Sequence, residues 1–172
     1  DVVINTVPAK AAAQAIRKIS DMGWKPAHFL SSISASVASV LQPAGLEKSI
    51  GILSLGYGKD ASDPQWNNDP GVLEFRSFMK KYYPEGDPID PFNAYGYSTA
   101  QTMVHVLRLC GDDLTRENVL RQATNIKNLE LPLLLPGIKI NTGATDYFPI
   151  KQMQMIRFDG TRWVRIGDVL GH

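Results

Sequence analysis

The sequence predicts an α/β fold built on a parallel sheet, and three observations carry that expectation. Apolar runs of strand length alternate with helix-patterned segments over the first ~90 residues. Helical segments open on residues that suit an N-terminus, such as Asp69 before Pro70. The chain closes on two β-rich runs around Asp159-Gly160, the strongest short-range signal for a hairpin.

The elements follow in order. Residues 2–6 are a short apolar run ending in Asn5-Thr6, a buried strand. Pro8 suits the first turn of the next helix, with Thr6 or Val7 near its cap, and Ala12, Ala15, Ile16 and Ile19 recur at helical spacing up to Gly23. Residues 27–31 form a second strand running into Ser31-Ser32-Ile33-Ser34, and a short helix is expected from Ala35 to Leu41. Ile50 to Tyr57 reads as a third strand, followed by a polar loop to Asn68. Val72, Phe75, Met79 and Tyr82 give the helix after Asp69-Pro70 its apolar face, and Pro84-Glu85-Gly86 ends it. Asp87 to Pro91, with two prolines and two aspartates, has the composition of a linker. Residues 92–111 are the strongest helix, with Met103, Val106, Leu107 and Cys110 on one face and Gly111 as its stop. Thr115 caps a further helix to about Thr124, and Leu129 to Thr145 is loop-like. The tail pairs Met153–Phe158 with Thr161–Ile166.

Composition narrows the function classes. Of the 172 residues, 44% are hydrophobic and 20% charged, ordinary values for a globular chain. The net charge of +1 gives no electrostatic reason to expect nucleic acid as a partner. No apolar run approaches the ~20 residues that span a bilayer. Cys110 stands alone, so no disulfide forms within the chain. The chain opens on Asp1-Val2-Val3-Ile4 without a methionine, and the expectation is that an upstream portion precedes it. A lobe lacking its partner strands exposes edges and apolar surface, so association with that portion, or an oligomer, is expected.

Catalytic and metal patterns are weak. His28, His105 and His172 lie far apart without metal-ligand spacing. Gly96-Tyr97-Ser98-Thr99-Ala100 echoes a nucleophile elbow but falls within a helical pattern. Gly56-Tyr57-Gly58 lacks the third glycine and the helix of a dinucleotide fingerprint. Asp60, Asp63 and Asp69 do not match a calcium loop. No cofactor and no metal are expected. Lys10, Arg17, Lys18 and Lys25 make the first helix basic, either a solvated face or part of a docking surface.

Binding is the better-supported chemistry. Ligands of parallel α/β sheets sit beyond the carboxyl ends of the strands, where helix N-termini present unpaired N–H groups. Three such ends offer Asn5, Thr6 and Val7, then Ser31, Ser32 and Ile33 with Ser34, then Tyr57 beside Leu55, Gly56 and Gly58. They supply hydroxyls, an amide, free backbone and an aromatic ring, a set suited to a small molecule. Helix capping is the competing role for Thr6 and the serines.

The order of these elements resembles the C-terminal half of type I periplasmic solute-binding proteins of ABC importers, the leucine/isoleucine/valine-binding group. Val7-Pro8 through Met22-Gly23-Trp24-Lys25, Gly51 to Tyr57, Pro91-Phe92-Asn93-Ala94-Tyr95-Gly96-Tyr97-Ser98-Thr99-Ala100-Gln101 and Phe158-Asp159-Gly160-Thr161-Arg162-Trp163 carry the likeness over nearly the whole chain. The resemblance implies two Rossmann-like lobes that close on a solute. Residues 1–87 would be part of lobe 2, 88–91 a hinge crossover, and 92–172 part of lobe 1, with the final hairpin near the hinge. It implies as partners a small-molecule solute, the permease subunits of an ABC importer and the N-terminal remainder of the same protein, in the periplasm or lipid-anchored outside a Gram-positive cell. Its hinge aromatic falls on Phe92. Its cleft aromatic falls near Thr6, and its ammonium-binding acid near Ser32 or Ile33, where no carboxylate stands. An ammonium buried without a charged partner is costly. A small carboxylate, an aromatic acid or a neutral amide-like solute therefore suits the site better than a branched-chain amino acid. The alternative is a ligand-binding sensor module of a regulatory protein; a hydrolase would need a nucleophile–base pair that the sequence does not offer.

Overall fold

A computed structural model describes residues 1–171. Strand β1 (Val2–Asn5) leads into helix α1 (Ala9–Asp21), and β2 (Ala27–Leu30) follows. A wide π-helical turn, Val37–Leu41, runs into the short helix α2 (Gln42–Ala44), and β3 (Leu53–Gly56) comes next. Helices α3 (Pro70–Tyr82), α4 (Pro91–Cys110) and α5 (Arg116–Ala123) precede the closing strands β4 (Met153–Phe158) and β5 (Trp163–Leu170).

The five strands form one sheet in the order β1-β2-β3-β4-β5. The first three run parallel, in register Ile4 to Phe29 to Leu53. The hairpin then adds antiparallel strands to the free side of β3, with Ser54 opposite Ile156. The expected α/β character holds, with the terminal hairpin built into the same sheet.

Local chemistry explains the element ends. The Asp69 carboxylate accepts from the Val72 N–H at 3.1 Å, with Pro70 at the first helical position, so α3 starts as the sequence implied. Asp90 caps α4 through the Phe92 N–H at 2.9 Å, and Thr115 caps α5 through Asn118. The stretch before α4 is a hydrogen-bonded turn: Asp87 accepts from the Ile89 N–H through its carboxylate and from the Asn93 side chain through its carbonyl.

Four details differ from expectation. The helix placed from Ala35 to Leu41 begins at Val37 and opens into a π turn, with the Leu41 N–H reaching Ser36 O at 3.2 Å. Pro43 has no N–H for a regular bond to the residue four before it. Strand β3 is shorter than Ile50–Tyr57, because Gly51 turns at φ +87° and the Ile52 N–H closes a turn onto Ser49 O at 3.2 Å instead of pairing with β2. The hairpin loop is four residues rather than a two-residue turn. The Asp159 carboxylate accepts from the N–H groups of Thr161 and Arg162, and β5 runs on to Leu170. On α4, Val106 and Cys110 are buried, but Met103 is 50% and Leu107 40% exposed.

The main core lies on one face of the sheet. Ala12, Ala13 and Ile16 of α1 and Val37, Val40, Leu41 and Ala44 pack on Leu30, Ile52, Ile156, Phe158 and Trp163. A second cluster joins Val106 and Cys110 to Ile126, Leu134, Leu135, Ile138 and Ile140. The segment expected to be loop-like thus carries core residues, pinned by bridges from Leu129 to Ile140 and from Gly58 to Leu134. A third, Val72, Phe75 and Met79 with Leu133, seats α3. There a Cβ on Gly71 would sit 2.5 Å from Pro132 O and 2.7 Å from Pro132 Cβ. Gly71→Ala is therefore expected to destabilise the protein by about 1–3 kcal/mol through forced backbone displacement. Urea unfolding measures this, and an unchanged midpoint would show that α3 is free to shift.

Candidate functional site

The carboxyl ends of β1, β2 and β3 point the same way, and beyond those of β2 and β3 lies a partly open cleft of about 680 Å³. Ser32, Ile33 and Ser36 form one wall, and Leu55 to Asp60 another. Helix α4 closes it with Tyr95, Ser98, Thr99, Thr102, Met103 and Val106, a repeat of three and four residues along one side. The 131–150 segment and Trp163 complete the lining.

The expected site residues divide. Ser32, Ile33 and Tyr57 line the cleft. Ile33 is 73% exposed at its edge, and Tyr57 is half-buried. Asn5, Thr6, Val7, Ser31 and Phe92 do not line it. Asn5 is buried, with its amide nitrogen 3.4 Å from His28 Nε2 and its oxygen accepting from the Val7 N–H. It shapes the turn that leaves β1. Thr6 and Val7 are exposed on that turn, and the Ser34 hydroxyl clamps it by donating to Val7 O at 2.6 Å. Ser31 is half-buried and continues the ladder through its N–H to Asn5 O at 2.8 Å. Phe92 is 72% exposed on the first turn of α4, while its neighbours Pro91 and Tyr95 reach the cleft.

The cleft's polar groups are mostly committed to the protein. The expected free N–H groups after β2 are filled: Val37 N donates to the Asp60 carboxylate at 2.7 Å, Ala38 N to the Ser62 hydroxyl and Ser39 N to the Ser36 hydroxyl. The first turn of α1 has no side-chain cap and no acid. On α4, the Thr99 and Thr102 hydroxyls donate back to Tyr95 O and Ser98 O, turning their methyl groups outward. Lys59 Nζ is held by the Asp69 carboxylate at 2.7 Å and by Pro132 O at 2.8 Å, and lies 5.3 Å from the Trp66 ring centre. Asp63 is 1% exposed and accepts from Gln65 N, Gln65 Nε2 and Trp163 N.

Burial pushes the Asp63 carboxyl above the ordinary aspartate value, against the pull of the Trp163 and Gln65 donors. Burial acts the same way on Asp69, but the Lys59 ammonium and the Val72 N–H outweigh it and hold that carboxyl low. Burial and the nearby Tyr95 raise the Tyr57 phenol, which stays neutral at ordinary pH. Arg165 lines the cleft, is exposed, and forms no ion pair among the described residues.

The arrangement holds little catalytic chemistry. Ser98 lies in the middle of α4 rather than on a strand-to-helix turn. His28 sits behind Asn5, with burial lowering its pKa. Among the described residues, no group of three His, Cys, Asp or Glu side chains is placed to hold a metal ion, and His172 lies outside them. Cys110 is buried in a core.

Sequence reasoning missed Tyr95, Ser36 and Trp163. The repeat Tyr95, Ser98, Thr99, Thr102 was a usable signal for a polar helix face; Trp163 reaches the site through sheet pairing that no local pattern shows.

The sheet and its crossover helices define one portion of the type I periplasmic-binding-protein fold. A branched-chain amino acid ABC transporter protein from Thermus thermophilus, solved with bound valine, superposes with a TM-score of 0.80 at 18% identity, covering 100% of this chain and 46% of that one. A substrate-binding periplasmic protein from Ralstonia solanacearum gives 0.75 at 16% identity, covering 96% and 45%. A leucine-binding protein from Thermotoga maritima gives 0.65 at 16%, covering 99% and 44%. The sequence profile of the periplasmic binding protein family matches residues 1–162, and the chain belongs to that family. No functionally curated protein matches the sequence. The chain spans less than half the length of the solved proteins it resembles.

The Lys59–Asp69 pair is the partly buried link between the cleft wall, the cap of α3 and the 131–135 segment, with side-chain exposures of 10% and 18%. Lys59→Met is expected to cost about 2–4 kcal/mol, between the surface and the fully buried limits for a broken pair. Asp69 is the depressed partner, so its contribution is present above the ordinary aspartate pKa and is lost as pH falls through its lowered value. Stability curves of wild type and variant should therefore converge in acid. Curves that stay parallel throughout the acid limb would show that the pair contributes no charge coupling.

Proposed function

We propose that this chain is part of an extracytoplasmic solute-binding receptor serving an ABC importer, and that its solute is a small carboxylate, an aromatic acid or an amino-acid-like molecule. The carrying observation is the cleft beyond the parallel strand ends, where Ser32, Ile33 and Tyr57 meet Tyr95 of α4 around an apolar interior. In this reading Ser32 and Tyr57 hydrogen-bond the solute, while Ile33 covers its apolar body. Thr6, Val7, Ser31 and Phe92 form the rim met on closure, with Asn5 holding the turn behind Thr6 and Val7. Residues 1–87 belong to lobe 2, 88–91 to the hinge crossover and 92–172 largely to lobe 1. The permease and the remainder of the polypeptide are its partners.

The ligand class rests on charge. The lining carboxylates, Asp60 and Asp63, already accept several hydrogen bonds each from the protein. Neither is free to pair with a ligand ammonium. The phenols of Tyr57 and Tyr95 and the Arg165 guanidinium remain for an acid or an amide.

The test is a thermal-shift screen of the full-length protein against amino acids, aromatic acids and small amides, followed by calorimetric titration of the hits. A ligand of the folded state raises the melting temperature by mass action. Tyr57→Phe, which keeps the ring packing, is expected to weaken binding by roughly 2–10-fold through loss of one hydrogen bond. Tight leucine or valine binding that ignores this substitution would overturn the ligand class. No shift with any compound would overturn the receptor reading.

A further inference from the structure

A second, smaller cavity of about 420 Å³ opens beside the hairpin, lined by Gln65, Gln154, Arg162, Trp163, Arg165 and Gly167. Gln65, Trp163 and Arg165 border both this cavity and the cleft, whereas Tyr57 and Tyr95 line the cleft alone. Arg165 follows Trp163 by two residues on β5, so both side chains leave the same face of the sheet. Trp163 spends both its N–H groups inside the protein, on the Asp63 carboxylate and on Ala35 O. Arg165 is therefore the charged group at the junction of the two cavities.

The amides around it are already paired. Gln65 Nε2 donates to the Asp63 carboxylate at 2.7 Å and to Trp163 O at 2.8 Å. Gln154 Nε2 donates to Ile166 O at 2.8 Å and to Gly167 O at 2.9 Å. That buried amide fills a bulge, since Gln154 pairs with Val169 and Met155 with Ile166, leaving Gly167 and Asp168 out of the ladder. A bulge bends its strand and re-aims the side chains beside it. Arg162 brings a second cation to the smaller cavity, and its one acidic neighbour is Asp159, 3.7 Å from its Nε with both side chains exposed. The hydrogen-bond donors left at this end are guanidinium groups, and no carboxylate lines the smaller cavity.

We propose that Arg165 determines the specificity of the cleft for an acid: the solute's carboxylate pairs with this guanidinium where the two cavities meet, and its apolar body lies in the cleft toward Tyr57 and Tyr95. The inference deepens the receptor reading and rests on it. A guanidinium offers a planar fork of N–H donors that fits a carboxylate, and it gains more from that charge than from a neutral amide. Arg162 adds to the positive potential that draws the anion in. An amino acid would also bring an ammonium, and the cleft's Asp60 and Asp63 are committed to protein donors.

Calorimetric titration of the full-length protein with benzoate against benzamide, and with 4-hydroxybenzoate against 4-hydroxybenzamide, tests this. Each acid should bind at least ~10-fold more tightly than its amide, the gap between charge-assisted and neutral hydrogen bonds. Arg165→Gln should bring that ratio near one, and Arg165→Lys should restore part of it; urea unfolding checks that both variants fold. Phenylglyoxal labelling reads the location directly: benzoate should suppress modification of Arg165 while exposed Arg17 on α1 reacts as before. An unchanged acid-to-amide ratio in folded Arg165→Gln, or acid binding that leaves Arg165 reactive, would overturn the assignment. Amides that bind more tightly than their acids would also overturn it, with the receptor reading left standing. If none of the four compounds binds, the assignment fails, and the amino acids of the wider screen decide the receptor reading separately.

Discussion

The pairing of β3 with β4 is the constraint on which the rest of the molecule depends. It joins the parallel strands to a hairpin from the far end of the chain, with Leu53 to Gly56 opposite Gln154 to Arg157. Closing so long a loop costs several kcal/mol of chain entropy before any contact is gained, although the cost rises only slowly with length. The return comes from ladder bonds, from Phe158 and Trp163 completing the core, and from Asp63, which accepts the Trp163 N–H across 100 residues of sequence. The Trp163 indole donates to Ala35 O at 2.7 Å and so fixes the turn after β2 to the same hairpin. Remove this pairing and the cleft loses one wall, because Trp163, Ile156 and Met153 arrive only through β4 and β5.

That constraint also explains why the cleft is apolar despite its polar sequence. The loop from Gly58 to Asn68 is rich in Asp, Ser and Asn, which suggests ligand chemistry when read alone. In place, it acts inward. Asp60 and Ser62 satisfy the first N–H groups of the π-helical turn, Asp63 holds the hairpin, and Asp69 caps α3 while binding Lys59. A loop can bury so many acids only by giving each several donors. Those carboxylates are committed within the protein, and the polar groups left facing the cleft include the Tyr57 and Tyr95 phenols and the Arg165 guanidinium.

Much of the fold was legible in the sequence because its signals are local. Asp69-Pro70 and Thr115 mark helix starts by capping chemistry, and Asp159-Gly160 marks the hairpin. Apolar runs mark the strands but overextend β3: the run reaches back to Ile50, while only pairing to β2 decides where a central strand begins. The site was half legible. Strand ends gave Ser32, Ile33 and Tyr57, since topology alone puts them there. Asn5 misled because a short amide near a strand end serves equally well as a turn-former, and Phe92 because a helix periodicity fixes spacing but not which neighbour faces the cleft.

The exposed side chains on α4 and on the sheet have a common physical origin. Amphipathic patterning reports which residues are meant to be buried, not what buries them. Met103 and Leu107 have the spacing of Val106 and Cys110 yet half the side of the helix is bare, and Ile4 is as apolar as Val3 yet 75% exposed. The main buried cluster of the sheet lies on the α1 face. The cleft is subject to the same logic. Its lining from the strand ends, from α4 and from the hairpin forms a floor and one wall, and a solute buried there needs a second surface to exclude water from its remaining side.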